Sequence, residues 1–195
     1  MRTKAAHSLT DEELVQTIVK TNDTLLFEVL YDRYVSVVYN KCYSFANGVD
    51  EAKDLTQDIF LRVFVKLSSF KGKSKFSTWL YAFTYNHCVN YVTRDTAKKI
   101  EKQSVSSDNL ENIGEDLDST EEFVNMQVEQ LKKAIDLIAP GDKMILLLKY
   151  QDSLSIKEIS NVLDIGESAV KMRLSRAKDK LLNTYNSYIR NNESI

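Results

Sequence analysis

Lys171, Arg173, Arg176, Lys178 and Lys180 crowd one stretch of the chain, against Glu167 and Asp179 as the only acids beside them. Ammonium and guanidinium groups repeated along one segment neutralise phosphates and donate to base edges, so the chemistry they suit is non-covalent reading of nucleic acid. The elements that must position them are written around them in LSIKEISNVLDIGESAVKMRLSRAKDKLL, residues 154–182. Ser155 and Glu158 form an S-x-x-E capping box that starts a helix. Ile156, Ile159, Val162 and Leu163 give that helix an apolar stripe. Asp164-Ile165-Gly166 breaks the pattern, and Val170, Leu174, Ala177 and Leu181 restart it under the cations. A short helix crossing a longer cationic one is the layout of a helix-turn-helix reader of the DNA major groove. The other reading is an ordinary helical hairpin with a solvated basic face.

Other chemistry is thinly supported. Asp50, Glu51, Asp54 and Asp58 could hold a metal from one helical face, but Lys53 and Arg62 interleave with them, the pattern of a solvated face. Cys42, His87 and Cys88 are poorly spaced for zinc, and the two cysteines read as reduced core thiols. No nucleophile elbow, phosphate loop or HExxH motif occurs. The expectation is a protein without cofactor or catalytic centre.

Five glycines and one proline in 195 residues predict an all-α chain. No apolar run approaches the roughly 18 residues of a membrane span, and the N-terminus lacks a signal-peptide core, so a cytoplasmic protein without membrane insertion is expected. The net charge is −2, unevenly spread. Residues 1–107 carry 15 Lys/Arg and 12 Asp/Glu, residues 123–195 carry 11 and 9, and residues 108–122 carry seven acids and no base. Two slightly basic bodies joined by an acidic strip bind free DNA weakly, because phosphate neutralisation dominates non-specific affinity; a helper is implied. Hydrophobic periodicity lapses from about Ala97 to Glu122. This divides the chain into a domain at 10–96, a linker at 97–122 and a domain at 123–186. A flexible linker of roughly 25 residues averages about 28 Å end to end. That length permits two DNA contacts a turn or more apart.

In the N-terminal body Thr10 and Glu13 form a second capping box before Leu14, Ile18 and Val19. A second helix is expected over 23–46, burying Leu26, Val29, Leu30, Val37, Val38 and Phe45, and ending in a left-handed turn at Asn47-Gly48. A third spans 50–67 and buries Ala52, Leu55, Ile59, Val63 and Leu67. A loop with Lys71, Gly72, Lys73 and Lys75 leads to a fourth helix over 77–99, rich in Trp79, Tyr81, Phe83, Tyr85 and Tyr91. Cations interleaved with aromatics suit single-stranded DNA, whose bases stack while its phosphates are neutralised. Trp79 and Phe83 are expected in the core instead.

Two segments carry a family resemblance. DEAKDLTQDIFLRVFVKL (50–67) and FKGKSKFSTWLYAFTYNHCVNYVTRD (70–95) resemble regions 2.2 to 2.4 of bacterial sigma factors. YDRYVSVVY (31–39) is similar to the preceding region, and the helix-turn-helix to region 4. Two such blocks, with nothing resembling region 1.1 or region 3, resemble the extracytoplasmic-function (ECF) group of the sigma-70 family.

The resemblance implies two small helical domains, region 2 and region 4, and specific roles. Asp54, Gln57, Asp58, Phe60, Leu61 and Phe64 match positions that dock on the β′ clamp helices of core RNA polymerase, with Phe60, Leu61 and Phe64 read as an exposed apolar patch off the buried stripe. Lys71, Lys73, Lys75 and Phe76 match the loop that cradles a base flipped from the −10 element. Asn86, Asn90 and Arg94 share the next helix's DNA-facing side. Lys171, Met172, Ser175 and Arg176 match positions facing −35 bases, and Arg173 and Lys178 match phosphate contacts. The implied partners are core polymerase (β′ clamp helices and β flap), promoter DNA and an anti-sigma factor. The chain departs from many relatives at Asn90, where they carry an acid, at Asp95, where they carry Arg, and at Gly166, where they carry a capping Ser. The competing reading is a helix-turn-helix repressor or activator that binds duplex DNA without polymerase.

Overall fold

The computed structural model describes residues 8–102 and 128–192, and side-chain surroundings within 8–95 and 129–190. Every regular element among the described residues is helical. The acidic strip and most of the expected linker lie outside them.

Helix α1 (Asp11–Thr21) starts at the expected capping box: the Glu13 N–H donates to Thr10 Oγ1 at 3.3 Å, and the Thr10 N–H donates to Glu13 Oε2 at 2.8 Å. Leu14, Val15 and Ile18 are buried, whereas Val19 is 46% exposed, contrary to expectation. At about 100° per residue, Leu14, Ile18 and Val15 fill one arc of the helix and Val19 falls outside it. Helix α2 (Thr24–Tyr43) is N-capped by Asp23, which accepts from the Leu25 N–H at 3.0 Å. It ends three residues before the expected boundary, with Ser44 in the right-handed region. The left-handed turn expected at Asn47-Gly48 does not form: Gly48 is extended (φ 171°). Glu51 supplies the reason, since its carboxylate accepts from the Asn47 backbone N–H at 2.7 Å and from the Asn47 side-chain amide, holding the turn open from the helix that follows.

That helix, α3 (Val49–Lys66), buries all five residues expected of it or of its short 3₁₀ extension, Leu67–Ser69. Helix α4 (Phe76–Lys102) completes the N-terminal body. Its first backbone N–H, on Phe76, donates to Glu12 Oε1 of α1 at 2.8 Å, so one helix caps another across the bundle. Cys42 and Cys88 are free, fully buried and face each other at 4.0 Å, while His87 turns to Asp58 at 2.9 Å; the three do not converge on one point.

The C-terminal body comprises α5 (Val128–Leu137), α6 (Pro140–Leu146), a π-helical turn (Leu147–Gln151), α7 (Ile156–Leu163) and α8 (Glu167–Asn192). Pro140 opens α6, where its missing N–H would have had no partner. The Ser155–Glu158 box forms as expected. Of the expected α7 stripe, Ile159 is fully buried and Ile156, Val162 and Leu163 are half-buried, because an eight-residue helix has one face against α8 and open edges. Asp164 takes the left-handed C-cap position (φ 53°), and the Ser160 hydroxyl donates to the Ile165 carbonyl at 2.6 Å, setting the tight turn. Val170, Leu174, Ala177 and Leu181 are all buried beneath α8.

Ser155→Ala is expected to lower the stability of this body by about 1 kcal/mol, measured by urea unfolding. Hydrogen bonds from the Ser155 backbone and hydroxyl hold the Glu158 carboxyl below its ordinary range. A depressed carboxyl contributes stability above its unfolded-state value and loses it as the pH falls through the folded-state one. The difference between wild type and Ser155→Ala should therefore shrink in acid.

Candidate polymerase and nucleic-acid interfaces

Three surfaces carry the side chains singled out above. The first is α3. Its core face is occupied by Ala52, Leu55, Ile59 and Val63, and its opposite face shows Asp54, Leu61 and Val65 in one line, with Gln57 and Asp58 on either flank. Leu61 is 69% and Val65 74% exposed. Exposed leucine and valine one turn apart, bordered by acids, form an apolar strip of the kind that marks a protein contact. Val65 was missed in the sequence; its signal was an apolar residue four positions beyond Leu61.

Phe60 does not belong to this strip. Expected to be exposed, it is 5% accessible and packs on α2, with its ring 4.6 Å from Tyr31 and 6.4 Å from Phe27. Phe64 is half-buried, its ring 5.0 Å from Phe27. The reason is the width of the α2–α3 contact: α3 buries a flank as well as a stripe, and aromatic rings fill that flank. An open groove of about 380 Å³ beside it, bounded by Tyr31, Tyr39, Lys53 and Gln57, extends the α3 surface onto α2. Asp50 pairs with Lys53 at 3.4 Å, Asp58 with Arg62 at 2.9 Å, and Glu51 with Asn47, so the acids of α3 face separate partners. His87, beside Asp58, is held below its ordinary value chiefly by burial, which Asp58 opposes.

The second surface joins the loop before α4 to one side of that helix. Lys71, Lys73 and Lys75 are all exposed, and Gly72 between them adopts φ +66°, a conformation that β-carbon-bearing residues adopt at a cost. Phe76, assigned to this loop as a DNA contact, is 1% exposed. Its ring sits 5.6 Å from both Tyr34 and Phe70, so it anchors the loop from below. Asn86, Asn90 and Arg94 are exposed on one face of α4, as their spacing requires. Trp79 and Phe83, expected in the core, are only half-buried, and their rings lie 5.3 Å apart. Helical spacing (79, 83, 86, 90, 94) puts them on that same face, making an aromatic ladder followed by two amides and a guanidinium.

The third surface is the outer face of α8. Opposite its buried stripe lie Met172, Ser175 and Arg176, with Lys171 and Arg173 on the flanks; all five are exposed. Ser168, one turn before Met172, is exposed on the same face and was missed, since a serine in the first turn of a helix reads as an end signal. Lys178 departs from the outward position expected of it: it is half-buried, with Nζ 5.6 Å from the Tyr150 ring. Its place on the helix is next to the core stripe, which draws its stem inward.

Residues 30–98 match sigma-70 region 2, and residues 128–181 match sigma-70 region 4. The chain belongs to the sigma-70 family, in its ECF group. It is 27% identical over 169 residues to the ECF RNA polymerase sigma factor SigW of Bacillus subtilis, covering 84% of this chain and 90% of that one. It is also 27% identical over 193 residues to the ECF RNA polymerase sigma-E factor of Escherichia coli K12, covering 95% and 99%. Among solved structures, the sigma factor RpoE in complex with the anti-sigma factor NepR from Bartonella quintana has the same fold, with a TM-score of 0.58 at 17% identity over 82% of this chain and 96% of that one. CnrH in complex with the cytosolic domain of CnrY gives 0.61 at 18% identity over 91% and 97%. The body containing α1 to α4 is accordingly sigma region 2, and the body containing α5 to α8 is sigma region 4. Among the described residues no helix is long and apolar enough to cross a membrane.

Proposed function

We propose that this chain confers promoter specificity on core RNA polymerase, with residues 10–96 and 123–186 as its two working units and residues 97–122 as the tether. The observation that carries the reading is the coexistence, on one chain with a net charge of −2, of an apolar docking strip on α3 and a cationic reading face on α8. A protein that read DNA unaided would need more cation; a strip that docks on polymerase lets the enzyme supply it. Asp54, Gln57, Asp58, Leu61 and Val65 contact the β′ clamp helices, and region 4 docks near the β flap. Met172, Ser175 and Arg176 read −35 base edges while Lys171 and Arg173 hold phosphates.

At the −10 element the half-exposed rings of Trp79 and Phe83 offer stacking surfaces, each worth about 1–3 kcal/mol per base, against an unstacking cost of a few kcal/mol per flipped base. Lys71, Lys73 and Lys75 neutralise the displaced strand, and Asn86, Asn90 and Arg94 hydrogen-bond it. The protein itself makes and breaks no covalent bond; contact energy is coupled to strand opening. It works in the cytoplasm, where polymerase is, and an anti-sigma factor is a further partner.

Gel filtration of the chain with bacterial core polymerase, run in parallel with duplex DNA alone, tests the reading. Co-elution with polymerase and negligible binding to DNA alone are expected; the reverse pattern would return the chain to the repressor class. Arg176→Ala is expected to reduce transcription from a −35-dependent promoter about tenfold with unchanged polymerase association, the loss of one side-chain contact to a base. Equal transcription by that variant would move the reading face elsewhere on α8.

A further inference from the structure

Regions 2 and 4 meet along a seam in which α4 packs against α6 and α7. Two lysines, one from each body, are buried across it. Lys41 of α2 is 2% exposed, and its Nζ donates to Asp152 Oδ1 at the end of the π-helical turn and, at 3.1 Å, to the Tyr85 hydroxyl. The same ammonium lies 4.2 Å from the Tyr81 ring and 4.7 Å from the Tyr85 ring. Lys143 of α6 donates to the Ser44 carbonyl at the end of α2 and, at 2.6 Å, to Asp136 Oδ1, with its Nζ 5.0 Å from the Phe45 ring. Farther along, Glu158 at the start of α7 lies within electrostatic reach of Lys75 in the loop before α4. Acids of region 4 thus face cations of region 2, one of which belongs to the surface proposed for the melted strand.

The seam is strong but conditional. Burial pushes the Lys41 ammonium below its ordinary pKa and Asp152 pulls it back, so the charge is tolerable there only while its partner is present. Asp152 Oδ2 is buried without a hydrogen-bond partner, a polar atom that water would satisfy on opening. The closed arrangement also conflicts with bipartite promoter binding. Elements centred at −10 and −35 lie 25 base pairs apart by name, roughly 85 Å along a duplex that rises 3.4 Å per pair. A compact body of fewer than 100 residues is only about 30 Å across, so two bodies in contact cannot span that separation.

We propose that the seam is an autoinhibitory latch: region 4 holds region 2 closed through Lys41–Asp152, places Glu158 beside the strand-capturing loop, and must swing away before the chain can engage a promoter. The latch itself is a property of the fold, whereas its role in transcription rests on the sigma reading above. Opening releases Lys41 and Lys75 together, so a nucleic-acid strand competes with region 4 for the same cations. The device has two states whose ratio any ligand selective for the open one will shift.

Small-angle X-ray scattering of the full chain tests the latch without reference to transcription. Wild type is expected to be compact. Asp152→Asn, which strands Lys41 in the seam, is expected to shift the closed-to-open ratio by on the order of a hundredfold and to give an expanded profile with unchanged helix content by circular dichroism. Lys41→Met makes the same test from the other body, and decides the matter if Asp152→Asn loses helix. Fluorescence anisotropy with a labelled oligothymidylate should show several-fold tighter binding by the opened variant. An expanded wild type, or a helical Asp152→Asn or Lys41→Met that stays compact, would overturn the latch. An opened variant that binds the oligonucleotide no better would overturn the competition at Lys75. If the variants open but no form associates with core polymerase, the latch stands and the sigma reading fails.

Discussion

Phe60→Ala is expected to destabilise region 2 by about 3–5 kcal/mol, a large share of the roughly 5–15 kcal/mol that holds a domain of this size together. The ring is 5% exposed and lies between Phe27 and Tyr31, so its removal leaves a cavity that two neighbouring aromatics cannot close. Urea unfolding followed by far-UV circular dichroism reads the effect as a lower midpoint with little change in slope. A loss under about 1 kcal/mol would mean that the α2–α3 contact relaxes around the gap, and that Phe60 is more accessible than its packing indicates. Because polymerase docking needs a folded region 2, weak polymerase association by this variant is not evidence that Phe60 touches the enzyme.

Leu61→Asp, one position along, is expected to have the opposite profile. It leaves stability within about 0.5 kcal/mol of wild type, because the side chain is 69% exposed and touches no core neighbour that would miss it. It lowers affinity for core polymerase by about 10- to 100-fold, roughly 1.4–2.8 kcal/mol, since a charge placed in the middle of an apolar docking strip is desolvated on binding without a partner. Competition for core polymerase against a labelled sigma factor measures the difference. Val65→Asp should act in the same direction, and full competition by both variants would remove the α3 strip from the polymerase interface. Phe64→Asp is less informative than either, because Phe64 packs on Phe27 and reports folding and docking together.

These adjacent residues also show how far the site could be read in advance. Helical periodicity places Leu55, Ile59 and Val63 in the core of α3, because those positions repeat on one side of any helix and apolar burial drives that side inward. It ranks Phe60 and Leu61 alike, as apolar residues off the main stripe. What separates them is the neighbour: Phe60 meets Phe27 and Tyr31 of α2, while Leu61 meets solvent. The same distinction buried Phe76 under its loop, left Trp79 and Phe83 half-open above it, and drew Lys178 toward Tyr150. Wherever a residue lies on the flank of a helix, its exposure depends on how widely a second helix covers that flank.

Local chemistry by itself determined the all-helical fold, the two capping boxes, the core stripes of α3 and α8, the tight turn of the helix-turn-helix, and the family. Each follows from interactions that span a few residues or from motifs contiguous in the chain. The turn at Asn47-Gly48, the cross-bundle cap from Glu12 to Phe76, the facing thiols of Cys42 and Cys88, and above all the seam of Lys41 with Asp152 were decided only by tertiary structure. In the last of these the partners stand 111 residues apart, and neither residue type, spacing nor charge says that a lysine at the end of one amphipathic helix will lose its water to an aspartate in another domain. Desolvation depends on what covers a group, and the covering surface exists only after the helices have packed.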